Sequence, residues 1–292
     1  MLVGILGSGF GLYGYLPALV GLGHNVVTLE RYRSLILKRV ELSEYIHQID
    51  FLEDDQQIVS ESSSVVIARN PSSQVELVQN QIIDLSLKQH VFLEKPLTDL
   101  LKTRQTFINT LRDADISFSV AYLFLYSEWF NHLKDQELGE FELNWVIAKP
   151  KAAWKNSAEQ GGGLLNYYLV HFLPCFDALS LNLQIKQSSL SPVHSTFVAS
   201  GKILLKVKVS LSTTESNFCL TTNSFDSKKV LFSAKTPFGP LPSEGILDPR
   251  IAYLERYIHE NLFSSKGNSE SLRLEELIHT QIQALTQPYF QN

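Results

Sequence analysis

Cysteine is scarce: Cys175 and Cys219 are the only two in 292 residues. Two thiols cannot build a disulfide framework, so a reducing, cytoplasmic compartment is expected. No apolar run approaches the ~18 residues that a membrane span needs. Only Met1 precedes the first apolar stretch, which runs straight into glycines, and no secretory leader is expected. No basic run stands out. The 25 Lys and Arg are outnumbered by 30 Asp and Glu, a net charge of −5, which argues against nucleic acid or an anionic membrane as partner. Charged residues make up 19% against 44% hydrophobic, too apolar a balance for a mainly disordered chain. Cys-x-x-Cys, His-Glu-x-x-His and tight His/Asp clusters are missing too, so no metal site is expected. The serine cluster at 60–64 holds no nucleophile elbow, and internal repeats are absent.

What remains is a chain long enough for two domains at about 150 residues each. Its character changes near residue 122. Before that point, short continuous apolar runs (2–6, 26–29, 65–68, 91–93 and 118–121) alternate with amphipathic stretches. Continuous rather than alternating runs suit strands buried on both faces. The clearest helical stripe is 74–88, where Val75, Leu77, Val78, Ile82, Ile83 and Leu85 recur at helical spacing. Strand and helix in alternation predict a doubly wound parallel sheet over 1–122. Beyond it, 141–148, 203–212, 217–222 and 229–233 read as strands of a mainly antiparallel sheet. In 206–212 strict alternation predicts one wet face. Helices are expected at 164–179, 249–262 and 271–287. The two domains are thus 1–122 and 123–292, with the C-terminal helices able to pack back on the first.

Three segments carry chemistry. Gly7-Ser8-Gly9-Phe10-Gly11-Leu12-Tyr13-Gly14 follows the first strand and opens a helix. In the preferred register Gly7 makes the turn and Gly9 lets the backbone approach a pyrophosphate. The literal Gly-x-Gly-x-x-Gly match is 9, 11 and 14, so the fingerprint is imperfect. Glu30, just past the second strand, suits the ribose hydroxyls of NAD, whereas Arg31 and Arg33 suit the 2′-phosphate of NADP. The alternative is a glycine turn that binds no dinucleotide. Second, Glu94-Lys95-Pro96 ends a buried strand at the edge where open α/β sheets bind ligands, although a strand-end ion pair facing water would look the same. Third, Gly161-Gly162-Gly163 leads into a segment in which Tyr167 and His171 are four apart, one helical turn. His171 is either a proton shuttle or a satisfied core histidine.

In this order and spacing the segments resemble the Gfo/Idh/MocA family, which includes glucose-fructose oxidoreductase and inositol dehydrogenase. Tyr15-Leu16-Pro17-Ala18-Leu19, Val65-Val66-Ile67-Ala68-Arg69-Asn70-Pro71, Trp154-Lys155 and Asp248-Pro249-Arg250 add to the likeness. The resemblance implies an N-terminal Rossmann domain and a C-terminal α+β domain with a large, mainly antiparallel open sheet. That sheet often forms a homodimer or homotetramer interface. It implies an NAD(P)-dependent oxidoreductase acting on a secondary alcohol or ketone of a sugar, cyclitol or sugar derivative, at a site between the domains. The implied cofactor residues are Gly7, Gly9, Phe10, Gly11, Leu12, Glu30, Arg31, Ala68, Arg69, Asn70, Glu94 and Lys95, with NAD slightly favoured over NADP. The implied substrate residues are Lys95, Tyr122, Trp154, Asn166, Tyr167 and His171, of which Lys95, His171 and Tyr167 are catalytic.

Departures from the pattern are also visible. Tyr167 stands where the family often has Asp, Arg69 where a small polar residue is usual, and Gln74 where His is common. Leu123-Phe124-Leu125 replaces a more polar segment. A dinucleotide-binding protein with weakened catalysis, serving as sensor or assembly partner, is the alternative reading.

Overall fold

The computed structural model describes residues 1–99, 101–135, 139–148, 153–156, 160, 164–179, 186–191, 194–199, 203–212, 217–224, 227–240, 245–263 and 268–286. Its strands are β1 (Leu2–Leu6), β2 (Asn25–Leu29), β3 (Ile49–Leu52), β4 (Ser64–Ile67), β5 (His90–Leu93), β6 (Phe118–Val120), β7 (Gly139–Ala148), β8 (Lys186–Ser191), β9 (His194–Ala199), β10 (Ile203–Ser212), β11 (Asn217–Ser224) and β12 (Ser227–Ala234). The α-helices are α1 (Leu16–Gly21), α2 (Arg33–Leu37), α3 (Val40–Ser43), α4 (Asp55–Glu61), α5 (Pro71–Asn80), α6 (Ile82–Ser86), α7 (Leu101–Asp113), α8 (Glu128–Lys134), α9 (Leu173–Ala178), α10 (Ile251–Phe263) and α11 (Asn268–Thr286). The chain divides into two compact units. One comprises Met1–Thr98, Lys102–Ala121 and Pro242–Glu276; the other comprises Asp99–Leu101, Tyr122–Leu241 and Leu277–Asn292.

The first unit is built on a parallel six-stranded sheet of order β3-β2-β1-β4-β5-β6. This is the doubly wound Rossmann order. The central strands are nearly all apolar because both faces are covered: Val3, Ile5, Val65, Val66, Ile67, Val91, Phe92 and Leu93 are all fully buried. β3 is the element the periodicity does not show. Its Ile-Asp-Phe-Leu is short, at the sheet edge and half wet, with only Ile49 buried. The helical stripe at 74–88 proves to be two helices. Asn70 caps α5, its Oδ1 accepting from the Ser73 N–H at 2.9 Å, and Pro71 occupies the first turn, where it has no N–H to lose. The run breaks at Gln81, whose φ of −117° and ψ of 20° leave the helical region.

α10 presents Leu254, Tyr257, Ile258 and Leu262 inward, a stripe at helical spacing that belongs to this unit although it lies far along the chain. Each such side chain contributes about 1.5–3 kcal/mol on burial. Arg104 of α7 forms a buried ion pair with Glu275 of α11, both within this unit, at 4% and 1% side-chain exposure.

The second unit carries a six-stranded sheet of order β12-β11-β7-β10-β9-β8. All its pairings are antiparallel except β7 with β10, which gives the mainly antiparallel open sheet that the resemblance implies. Its core is aromatic: Trp129 and Phe130 of α8, Phe141 of β7, Phe218 of β11, and Phe124, Phe172 and Phe176 are all at most 1% exposed. β8 and β9 escape a pattern reading because their serines and threonine dilute the apolar signal. The alternation in 206–212 falls on side chains outside the described ones.

Residues 164–179 are not one helix. A π-helical turn (Leu164–Tyr168) and a 3-10 turn (Leu169–His171) precede α9. Pro174 explains the break: it lacks the N–H that would bond back to residue 170, and its ring crowds that carbonyl. Gly161-Gly162-Gly163 lie outside the described residues.

Candidate active site

In the first unit the glycine turn leaves β1 and enters a π-helical turn (Gly11–Tyr15) continuous with α1. A Cβ placed on Gly7 would fall 2.1 Å from the Ala68 carbonyl oxygen, so the turn passes hard against the end of β4 and only glycine fits. A Cβ on Gly9 would meet no chain atom within 4 Å. The backbone at Gly9 therefore borders open space at the carboxyl edge of the sheet. Gly14 serves a different need, since the Phe10 ring folds back to 2.3 Å from where its Cβ would stand. The Arg250 guanidinium sits 4.0 Å over that ring and is held by Asp248 through two side-chain hydrogen bonds of 2.8 and 2.7 Å. Leu12 is 2% exposed, so its side chain is core.

At the end of β2, Glu30 accepts two hydrogen bonds from Arg33, at 2.6 and 2.8 Å. These bonds are the main reason its carboxyl is held below the usual range. Arg33 also lies 3.8 Å over the Phe51 ring. Asp55 accepts from Arg69 at 2.6 Å and lies 3.7 Å from Arg31. Arg69 and Asp55 line a polar pocket of about 170 Å³ with Ser73, Glu76 and Asn80.

Lys95 follows β5, and its peptide bond to Pro96 is cis. The segment is tied down by Gln74, which is fully buried on α5. The Gln74 Oε1 accepts from the Glu94 N–H at 2.9 Å, and its Nε2 donates to the carbonyls of Glu94 and Leu97 at 2.9 and 3.2 Å. The sequence marks Gln74 only as a departure; its partners become visible in three dimensions. Burial, and then the Glu94 carboxylate beside it, push the Tyr15 hydroxyl well above the usual tyrosine range.

In the second unit His171 is 7% exposed and stacks on Phe124 at 4.5 Å between centroids, 23° from parallel. Trp145 and Tyr167 meet it edge-on at 6.0 and 6.2 Å. The irregular backbone still brings Tyr167 and His171 together. Tyr167 also meets Trp154 edge-on at 5.3 Å, and the Lys155 ammonium lies 5.0 Å from the Tyr167 ring centre. Asn166 is half-buried, while Tyr122 is 3% exposed. Phe124 is the neighbour that sequence reasoning missed, since an aromatic in an apolar run gives no sign of its stacking partner. Among the described residues no group of three His, Cys, Asp or Glu could hold a metal, and no helix is long and apolar enough to cross a membrane.

No family model and no curated protein sequence matches the chain. Solved structures do. The two-unit fold is the one that Gfo/Idh/MocA-type dehydrogenases have, as the resemblance implies. GenD2 from gentamicin A biosynthesis, in complex with NAD, is 12% identical and superimposes with a TM-score of 0.71 over 97% of this chain and 92% of that one. The WlbA (WbpB) dehydrogenase from Thermus thermophilus, in complex with NAD and UDP-GlcNAcA, is 10% identical with a TM-score of 0.66, covering 97% and 94%. A super-repressor mutant of Gal80p from Saccharomyces cerevisiae is 12% identical with a TM-score of 0.65, covering 98% and 95%.

Proposed function

We propose that the chain is an NAD(P)-dependent oxidoreductase acting on a secondary alcohol or ketone of a sugar, cyclitol or sugar derivative. The observation that carries this reading is the open space at Gly9, at the ligand edge of a Rossmann sheet. It is supported by the fold shared with dehydrogenases solved with NAD. Backbone from Gly9 to Gly11 would hold a pyrophosphate at the start of the helix, and Glu30 the adenosine ribose. NAD is the better fit, because Arg33 is engaged by Glu30, and Arg31 and Arg69 converge on Asp55; a 2′-phosphate would have to compete with these carboxylates.

A bound nicotinamide supplies hydride acceptance and donation. The chain must orient the substrate carbon and handle the hydroxyl proton. His171 takes that proton in oxidation and returns it in reduction, and Lys95 polarises the substrate oxygen. The fit to a sugar-like small molecule, and a homodimer or homotetramer formed through the second sheet, belong to the same proposal.

Calorimetry with NAD and NADP, followed by nicotinamide fluorescence over a panel of sugars and sugar acids, tests it. NAD should bind and be turned over. His171→Ala should lower turnover by roughly 10²–10⁴ and leave NAD affinity near normal. A wild-type protein that binds neither dinucleotide would refute the reading.

One observation favours a second reading, a dinucleotide-binding protein with weakened catalysis: Phe124, from the apolar run, covers a face of His171. The shared fold of the Gal80p super-repressor mutant points the same way. Binding of NAD with no turnover on any substrate would favour it.

A further inference from the structure

We propose that Gln74 is the positioning residue for Lys95, an inference that rests on the reading of Lys95 as an active-site group. β5 ends at Leu93, and the Glu94 N–H reaches the last residue of β4 only at 3.3 Å, to the Ile67 carbonyl. From this point the Gln74 side chain takes over the role of a neighbouring strand. It pairs with both the N–H and the carbonyl of Glu94, as a peptide group in a ladder would. The second hydrogen of the same Nε2 crosses to Leu97. One planar group thus fixes the backbone on both sides of Lys95, and its full burial keeps water from competing for those bonds.

The chemistry demands an amide. The arrangement uses one acceptor and two donors from adjacent atoms of a single group. An ionised Glu would set an oxygen against two carbonyls. A His would offer one donor and one acceptor on different ring nitrogens, and would change that set on protonation. An amide keeps the same set at every pH. Displacement of a reacting group by about 1 Å costs on the order of 10²-fold in rate, so a residue that touches neither substrate nor cofactor can control turnover.

The test compares the full-length wild type with Gln74→Leu and Gln74→Glu. Acylation of Lys95 is measured peptide by peptide by mass spectrometry, with the exposed Lys38 as internal reference. Hydrogen exchange over 94–97 and thermal midpoints are measured alongside. Either variant that folds suffices. The proposal expects Lys95 labelling relative to Lys38 to change by about threefold or more, and exchange over 94–97 to rise about tenfold, as expected once the bonds that hold this backbone are lost. With a turned-over substrate, kcat should fall about 10- to 100-fold while NAD affinity stays within about threefold. A lower thermal midpoint with unchanged Lys95 labelling and exchange would show Gln74 to be a packing residue only and would overturn the proposal. Labelling needs no activity, so a wild type that binds no dinucleotide removes the functional reading while the role of Gln74 is still decided.

Discussion

A methyl group added at Gly7 collides with the end of β4, whereas one added at Gly9 touches nothing, so the two glycines should fail in different ways. Gly7→Ala is expected to lose stability, by about 1–3 kcal/mol for overpacking, and its denaturant midpoint should drop. Gly9→Leu should keep the wild-type midpoint and lose NAD affinity. A Gly9→Leu protein with unaltered NAD affinity would place the dinucleotide elsewhere. His90 offers a second test at this scale. Its ring is buried between Ser117 and Ser119, at 3.1 and 2.8 Å, and Ser119 continues to Tyr257 at 2.7 Å. Burial lowers its pKa from 6.5 to about 4. The unfolded chain therefore takes up this proton first as pH falls. The contribution is fully present above pH ~6.5 and is lost progressively down to pH ~4, amounting to at most about 3 kcal/mol. Urea midpoints at the two ends of that window should show the fall, and His90→Gln should flatten it. Equal slopes in the two proteins would rule out His90 as the source.

Elements reveal themselves according to how they are buried. β1, β4 and β5 are legible because both faces are covered and nearly every residue is apolar, and the glycine turn is legible because it follows such a strand. β3 is not, being a half-wet edge of four residues. The helix expected over 164–179 fails at Pro174, where periodicity outweighed a local rule that the sequence itself displayed. In the candidate site, Gly9, Glu30, Lys95 and His171 stand out by position relative to strands and glycines. The bonds of Gln74 and the stacking of Phe124 join segments 20 and 47 residues apart, and no local pattern encodes such pairings. The same holds for the pairing of α7 with α11 through Arg104 and Glu275. Removing either partner leaves a buried charge, so Arg104→Ala should cost about 3–5 kcal/mol. Arg104→Met with Glu275→Leu should be milder than either single change, and chemical denaturation of the three variants checks the order. A double variant as weak as the sum of the singles would mean that the pair is not coupled.

At the level of the whole molecule, the second sheet is open, with β12 and β8 at its edges. Assembly through this sheet predicts a mass of two or four chains in native mass spectrometry at micromolar concentration; a monomer would oppose the proposed assembly. The first unit has a different dependence. Pro242–Glu276 belongs to it, and this segment supplies Tyr257 to Ser119 and Glu275 to Arg104. A ribosome that has made all six parallel strands has therefore not yet made α10, which covers part of them. The Rossmann sheet must wait through the synthesis of about 120 residues of the other unit before α10 emerges, leaving Phe92 and its neighbours short of their cover. A premature stop anywhere after residue 121 and before 242 would leave this unit without α10 and Arg104 without Glu275, so nonsense lesions late in the gene should be as damaging as early ones.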